Sequence, residues 1–255
     1  MTDIHTILIA GSGGTIAKAL IAHWQNAGAR VLTMGRAAGA EVWENAHDSR
    51  HLTTDLTDVA NIPAITAWLK NYGLPDAVIV CSGFLHTDET ADQKGGDTPG
   101  KPSLPEKALK DITDDFLLHN MQINLLAHIH LAQAVAPLLK RRSTLKWMSL
   151  SAMVGSITDN QLGGWYSYRM SKAALNMFIK TLSIEWQRKA PDSIVVATHP
   201  GTTDSALSEP FQANIKDGKL YTPELTAERL SRILEELNAE QNGHLLHWDG
   251  SVLPF

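Results

Sequence analysis

The sequence predicts an α/β fold built on a doubly wound, mostly parallel sheet. Three observations lead there. Short apolar runs alternate with amphipathic stretches from end to end; the first run ends in a glycine-rich turn that opens a helix; and no Ser/Pro linker interrupts the 255 residues. Together these favour one domain over residues 1–255 rather than two smaller ones.

The elements follow in order. Residues 4–10 form a short apolar run, stopped by Gly11-Ser12-Gly13-Gly14. Ile16, Ala19, Leu20, Ala22, His23 and Trp24 recur at helical spacing, Gly28 closes that helix, and Arg30 to Met34 form a second strand. Strand, turn, helix and strand make the opening βαβ unit. A third strand is expected around His51–Thr54, a helix over about Asp58–Asn71, and a fourth strand over Asp76–Cys81. Residues 86–104 are polar and rich in Gly, Pro, Asp and Lys, which reads as a mobile loop, either a lid or plain disorder. A long helix over about Asp114–Lys140, with a break near Asn120, leads to a fifth strand at Leu145–Leu150. A helix carrying Tyr168 runs to about Lys189, and Ser193–Thr198 form a sixth strand before His199-Pro200-Gly201. A last helix at about Thr226–Asn238 and a final strand at His244–His247 complete the pattern.

Composition narrows the functional classes. A hydrophobic content of 44% supplies a sizeable core, and the net charge of -5 gives no basic footprint for nucleic acid. No dense Lys/Arg stripe suits a membrane surface, and the run Ile7-Leu8-Ile9-Ala10 is too short for a signal sequence or a membrane span. Cys81 is the one cysteine, so no intrachain disulfide forms, which fits a reducing compartment. The expectation is a cytoplasmic protein that binds neither nucleic acid nor membrane.

The chemistry concentrates in Tyr168 and Lys172, four apart on one predicted helix. Side chains at that spacing are neighbours. An ammonium beside a phenol favours the phenolate and lowers the tyrosine's ordinary value, making an acid/base unit. A lone YxxxK is common by chance, so its company matters. Glycine at the start of a helix lets backbone amides approach a phosphate closely, and Gly11 and Gly13 stand there, although Ile16 replaces the last glycine of a strict GxGxxG. At the end of the second strand no carboxylate appears before Glu41, and Arg36 stands where a ribose 2′-phosphate would sit. Arg36 is otherwise a solvated loop residue; the favoured cofactor is NADP, with NAD the alternative. Asp55 either reaches an adenine edge or caps the next helix. Ser82-Gly83 lets backbone come close to a ligand. His47, His51 and Asp55, and the pair His128 and His130, lack a third ligand at zinc-like spacing, so no metal is expected and these histidines are given structural or surface roles. Trp165, Tyr166 and Trp248 either line an apolar pocket or belong to core and interface.

Taken together, Gly11 to Ala17, Asp55, Ser82-Gly83, Asn124, Ser151, Tyr168 with Lys172, and Pro200-Gly201 fall in the order of the short-chain dehydrogenase/reductases, and the chain resembles that family over nearly its whole length. The stretch from Gly155-Ser156-Ile157 to Asn176 is similar to the C-factor branch, named for a bacterial cell–cell signalling protein. The resemblance implies a Rossmann fold with a seven-stranded parallel sheet flanked by helices. It implies hydride transfer between nicotinamide and a small carbonyl or alcohol substrate, and a homodimer or homotetramer. It further implies Tyr168 as general acid/base, Lys172 on the nicotinamide ribose, Asn124 in a proton relay, and a serine, here Ser151, beside them. Gly11, Ser12, Gly13, Thr15, Ile16, Arg36, Asp55, Leu56, Ser82 and Gly83 would hold the cofactor. Lys172, Pro200, Gly201 and Thr203, with Ser205 beside them, would complete its site.

Three departures from the family pattern stand out. Thr15 and Ala17 replace its second and third glycines, and its Asn-Asn-Ala-Gly turn reads Val80-Cys81-Ser82-Gly83. Counting back three from Gly155 reaches Ala152, so Ser151 takes the serine's part from one residue earlier, with Ser156 a weaker substitute. Two functions remain open: an NADPH-dependent carbonyl reductase or alcohol dehydrogenase, and a nucleotide-binding signalling protein on the same scaffold.

Overall fold

The structure is a computed structural model that describes residues 4–36, 49–87 and 104–255. Glu41, His47 and most of the segment 86–104 lie outside the described residues. The elements run β1 (Thr6–Ala10), α1 (Thr15–Asn26), β2 (Arg30–Gly35), β3 (Arg50–Thr53), α2 (Ile62–Tyr72) and β4 (Ala77–Val80). They continue with α3 (Asp114–Met121), α4 (Ala127–Val135), β5 (Lys146–Leu150), α5 (Tyr166–Lys189) and β6 (Ile194–Thr198). The last are β7 (Thr202–Thr203), β8 (Leu220–Tyr221), α6 (Pro223–Glu236), β9 (Leu245–Leu246) and β10 (Val252–Leu253).

Among the described residues the sheet has eight strands in the order β10-β9-β6-β5-β4-β1-β2-β3. Seven of them are parallel. The eighth corrects the expected count: β10 folds back antiparallel on β9, with Val252 opposite Leu246. A separate pair, β7 and β8, was not foreseen, because each strand is only two residues long.

Alternation along the strands explains the layers. In β1, Leu8 and Ala10 face the cluster that includes Ile65 of α2, Leu131 of α4 and Leu175 of α5. Ile7 and Ile9 face the opposite cluster, with Leu20 and Trp24 of α1 and Leu230 of α6. Both faces of these strands are therefore buried, as a sheet covered on two sides requires. Ala17 packs with no exposure in the second cluster, where a small side chain lets α1 approach the sheet.

Helix boundaries follow local chemistry. The expected long helix is interrupted by a π turn over Gln122–Leu126, close to the anticipated break, and Asn124 sits inside it. Single π turns of this kind recur at functional sites. The last helix begins at Pro223 rather than Thr226, because Thr222 caps it by accepting a hydrogen bond from the Leu225 N–H at 3.2 Å and Pro223 suits the first helical position. No helix among the described residues is long and apolar enough to cross a membrane.

Candidate active site

Every strand that matters for the site delivers its residues at its carboxyl end. β1 leads into Gly11, β2 into Arg36, β4 into Ser82, β5 into Ser151 and β6 into His199-Pro200-Gly201. Two hollows open along that edge. The first is a cleft of about 580 Å³ whose walls include Gly11, Gly13, Arg36, Asp55, Leu56, Ser82 and Gly83. The second is a chamber of about 330 Å³ whose walls include Ile16, Ser151, Tyr168, Pro200, Gly201, Thr203 and Ser205. The start of α1 stands between them.

The glycine turn is folded by its own backbone. The amides of Gly11 and Ser12 both donate to Met34 O, at 2.9 and 3.0 Å, which ties the turn to β2. Gly11 has φ +77, and a Cβ there would stand 2.7 Å from the Ser82 nitrogen. Only glycine fits this close crossing of two turns. α1 starts at Thr15 with no side chain capping its first-turn amides. Uncapped amides at the mouth of a cleft suit an anionic group. Gly13 and Gly14 line the cleft, and Thr15 follows them as the first residue of α1.

Asp55 accepts from the Thr57 amide at 2.8 Å and the Thr57 hydroxyl at 2.7 Å. Burial pushes its carboxyl up, but the Thr57 bonds and the Arg36 charge outweigh that and hold it below the usual range. Capping of the helical turn that follows falls to Asp58, whose side chain accepts from the Ala60 amide. Asp55 thus shapes the cleft wall opposite Arg36.

Asn124 has no exposed surface and binds the chain across the fold. Its Oδ1 accepts from the Phe84 amide at 2.7 Å, while its Nδ2 lies 2.9 Å from Phe84 O, 2.9 Å from Ser171 Oγ and 3.2 Å from Asn120 Oδ1. This one amide joins the turn after β4 to α5. Gly83 sits between Asn124 and Lys172: a Cβ there would lie 3.9 Å from Asn124 Oδ1 and 4.0 Å from Lys172 Nζ.

Tyr168 and Lys172 are both buried in the first turns of α5. Lys172 Nζ lies 5.9 Å from the centroid of the Tyr168 ring and donates to Leu150 O at 2.9 Å. The expected lowering of the tyrosine by its neighbour is not what the structure gives. Burial pushes the Tyr168 phenol up, while the Lys172 ammonium donates to a carbonyl. Burial also pushes Lys172 down, to about 7. Gly155 makes room for this helix: a Cβ would stand 2.8 Å from Lys172 Cβ and 2.9 Å from its carbonyl carbon.

Ser151 lines the chamber, but its hydroxyl donates to Asn176 Oδ1 at 2.7 Å. Reaching a substrate oxygen requires that bond to break. Ala152 packs directly with Tyr168 and Leu85. Ser156 is buried and accepts from the Asp159 amide, away from the chamber wall.

Sequence reading missed several contributors. Glu106 is 3% exposed, and its carboxylate accepts from the Ser167 amide and hydroxyl, capping α5 from 61 residues away. The signal was a missing one: the residue before Tyr166 is Trp165, which offers no capping oxygen. His128 takes the structural one of the two roles expected for it: it is fully buried, with Nδ1 3.0 Å from Ser149 Oγ and Nε2 3.1 Å from Ser82 O. A carbonyl only accepts, so Nε2 carries the proton and Nδ1 accepts from Ser149. Burial and the Lys172 charge push His128 down to about 3 despite the Ser82 bond. His130 is also buried, with Nδ1 2.8 Å from Leu56 O. No group of three metal-ligating side chains occurs among the described residues.

Comparison with known proteins agrees with this geometry. The family model described as short chain dehydrogenase matches residues 5–216. The 1-hydroxy-2-glutathionyl-2-methyl-3-butene dehydrogenase of Rhodococcus sp. (strain AD45) is 27% identical over 249 residues, covering 97% of this chain and 98% of that one. The C-signal protein of Myxococcus xanthus is 29% identical over 149 residues, covering 58% of this chain and 84% of its own. Among solved structures, an NADPH-bound carbonyl reductase from chicken fatty liver shares the fold with a TM-score of 0.80 at 20% identity, over 99% of each chain. A matched family model spanning most of the chain, on a fold with this site edge, means that the chain belongs to the short chain dehydrogenase family of oxidoreductases.

Proposed function

We propose that the protein, as one domain over residues 1–255, is an NADPH-dependent carbonyl reductase that also runs in reverse as an alcohol dehydrogenase. The observation that carries this reading is the placement of Tyr168. It lines the chamber, with Lys172 buried behind its ring, beside a cleft bordered by uncapped helix amides and Arg36.

The residues present suit a dinucleotide phosphate. The turn Gly11-Ser12-Gly13, with Thr15 and Ile16 at the helix start, would receive the pyrophosphate on backbone amides. Arg36 would pair with a 2′-phosphate through its planar fork. Asp55 and Leu56 would border the adenine, and Ser82 and Gly83 the adjoining ribose. Lys172 would hold the nicotinamide ribose, and Pro200, Gly201 and Thr203 the carboxamide. When bound, the cofactor supplies the hydride. Tyr168, kept protonated by burial, donates its proton to the oxygen of the carbonyl as it becomes a hydroxyl. Asn124 holds the turn after β4 in register with α5, and Ser151 is the hydroxyl nearest in sequence to the one the family pattern calls for. On the outer face of α5, Met170, Met177 and Ile184 are exposed at 39%, 67% and 45%. That apolar stripe supports assembly as a homodimer or homotetramer.

The test is titration with NADPH and NADH followed by nicotinamide fluorescence, on wild type, Arg36→Ala and Tyr168→Phe. NADPH is expected to bind more tightly, Arg36→Ala to cost NADPH on the order of tenfold in affinity while sparing NADH, and Tyr168→Phe to abolish reduction while keeping the cofactor. Tighter NADH binding would overturn the cofactor assignment. Binding of neither would favour the signalling role suggested by the C-signal relative.

A further inference from the structure

The chamber beside Tyr168 carries its own selectivity. Resting on the reductase reading above, we infer that it takes an uncharged carbonyl substrate bearing a flat aromatic group, packed against the contacting ring pair of Trp165 and Phe211.

The first support is charge. Among the described residues, no Lys, Arg, Asp or Glu side chain lines the chamber. His199 on its wall is pushed down to about 4 by burial and by His247, so it is neutral at physiological pH. Four hydroxyls on the wall are already bonded to the protein: Ser151 to Asn176, Thr203 with Thr226 at 2.9 Å, Ser205 to Thr203 O at 3.2 Å and Ser208 to Thr203 O at 2.6 Å. A substrate carboxylate or phosphate would be desolvated here with no cation among the described wall residues to pair it, which is costly.

The second support is shape. Trp165 and Phe211 lie with ring centroids 4.8 Å apart, and Trp165 meets the Tyr168 ring edge-on at 6.2 Å. Leu85 and Val154 close the same cluster. The surface presented to the reacting carbonyl is therefore aromatic and aliphatic, next to the proton donor itself. Offset or edge-on ring contacts are worth more than the area they bury.

The third support is that the wall is held there against strain. Trp165 has φ 52, the only positive value for a residue other than glycine among the described residues. Gly163 and Gly164 precede it at φ 65 and φ 64, so three successive residues form a left-handed turn. Arg169 grips that turn with its fork: Nε donates to Gly164 O at 3.0 Å, Nη2 to Gly163 O at 3.2 Å and Nη1 to Val154 O at 3.1 Å. The Trp165 amide donates to Glu106 O at 2.6 Å. A residue in this region persists only where its surroundings over-determine it, and such residues gather at ligand sites.

The experiment compares acetophenone, 2-butanone and phenylglyoxylate as substrates with NADPH, and measures binding of 1-phenylethanol by calorimetry with NADP present. It uses wild type, Trp165→Gly and Phe211→Ala. Glycine accepts the left-handed backbone, so the first variant removes the ring while keeping the turn. Acetophenone is expected to be used on the order of tenfold more efficiently than the other two, and each variant to raise its KM by about tenfold with NADPH affinity unchanged. Equal or better use of 2-butanone or phenylglyoxylate, or an unmoved KM in both variants, would overturn the inference while leaving the reductase reading in place. If no carbonyl is reduced, binding of 1-phenylethanol that both variants lose would uphold the aromatic chamber and sink the reductase reading. Absence of such binding would overturn the chamber.

Discussion

His128 Nε2 stands 3.1 Å from the carbonyl oxygen of Ser82, holding from below a turn whose own residues, Val80-Cys81-Ser82-Gly83, offer no amide side chain. The chain of bonds behind it is complete. Trp147 Nε1 donates to Ser149 Oγ at 2.9 Å, Ser149 donates to His128, and His128 donates to the turn. His128→Leu is therefore expected to lower unfolding free energy by about 1–3 kcal/mol, since it orphans buried polar groups, and to weaken cofactor binding in the cleft. The pH dependence has a definite sign. The folded value is lowered from 6.5 to about 3, so as pH falls through that window the unfolded chain takes up the proton and the native one does not. Wild type loses stability there, and the variant lacks this contribution. Denaturant midpoints of both proteins at neutral pH and inside the window check it; parallel losses would sink the idea.

Ser151 and Ala152 make a paired prediction. Ala152→Ser places a hydroxyl beside Tyr168, where the methyl now packs, and is expected to raise kcat. Ser151→Ala leaves Asn176 Oδ1 without its donor, in a side chain whose Nδ2 already lacks a partner. It is expected to cost about 1–3 kcal/mol of stability. Steady-state rates and thermal unfolding of the two variants separate catalysis from support.

Gly155→Ala should displace α5 at the level of its lysine, because the new methyl meets Lys172 backbone as well as side chain. Overpacking of this kind costs about 1–3 kcal/mol. A variant as stable and active as wild type would show that the helix yields freely there.

Met177→Glu tests assembly. Met170, Met177 and Ile184 are spaced seven residues apart on the exposed face of α5, and a buried charge in the middle of that stripe opposes pairing. Light scattering is expected to show an oligomer for wild type and a monomer for the variant; a wild-type monomer would remove the premise.

The sheet was legible because its signals are local. Apolar runs such as Ile7-Leu8-Ile9-Ala10 and Ala77-Val78-Ile79-Val80 need both faces covered, whatever covers them. β10 escaped notice because two residues carry no period. In the site, Tyr168 and Lys172 share one helix, and the glycine turn is a single stretch, so both could be read directly. Glu106, His128 and Phe211 could not. Their roles depend on partners brought together by the fold, 61 residues away for Glu106 and 46 for His128. Even the Tyr168–Lys172 pair was legible only in position. Its phenol is pushed up, opposite to the expected direction, because burial is set by the whole fold.

The remote cap on α5 has a consequence for how the molecule is made. Glu106 meets Ser167 only after the strand order has brought β4 and β5 side by side. Contacts of such long sequence separation form late, because loop closure must come first. During refolding, helical signal is therefore expected to return before the Trp165 ring reaches its final surroundings, and turnover last of all. The chain would pass through a state that already looks native by circular dichroism and is still inert.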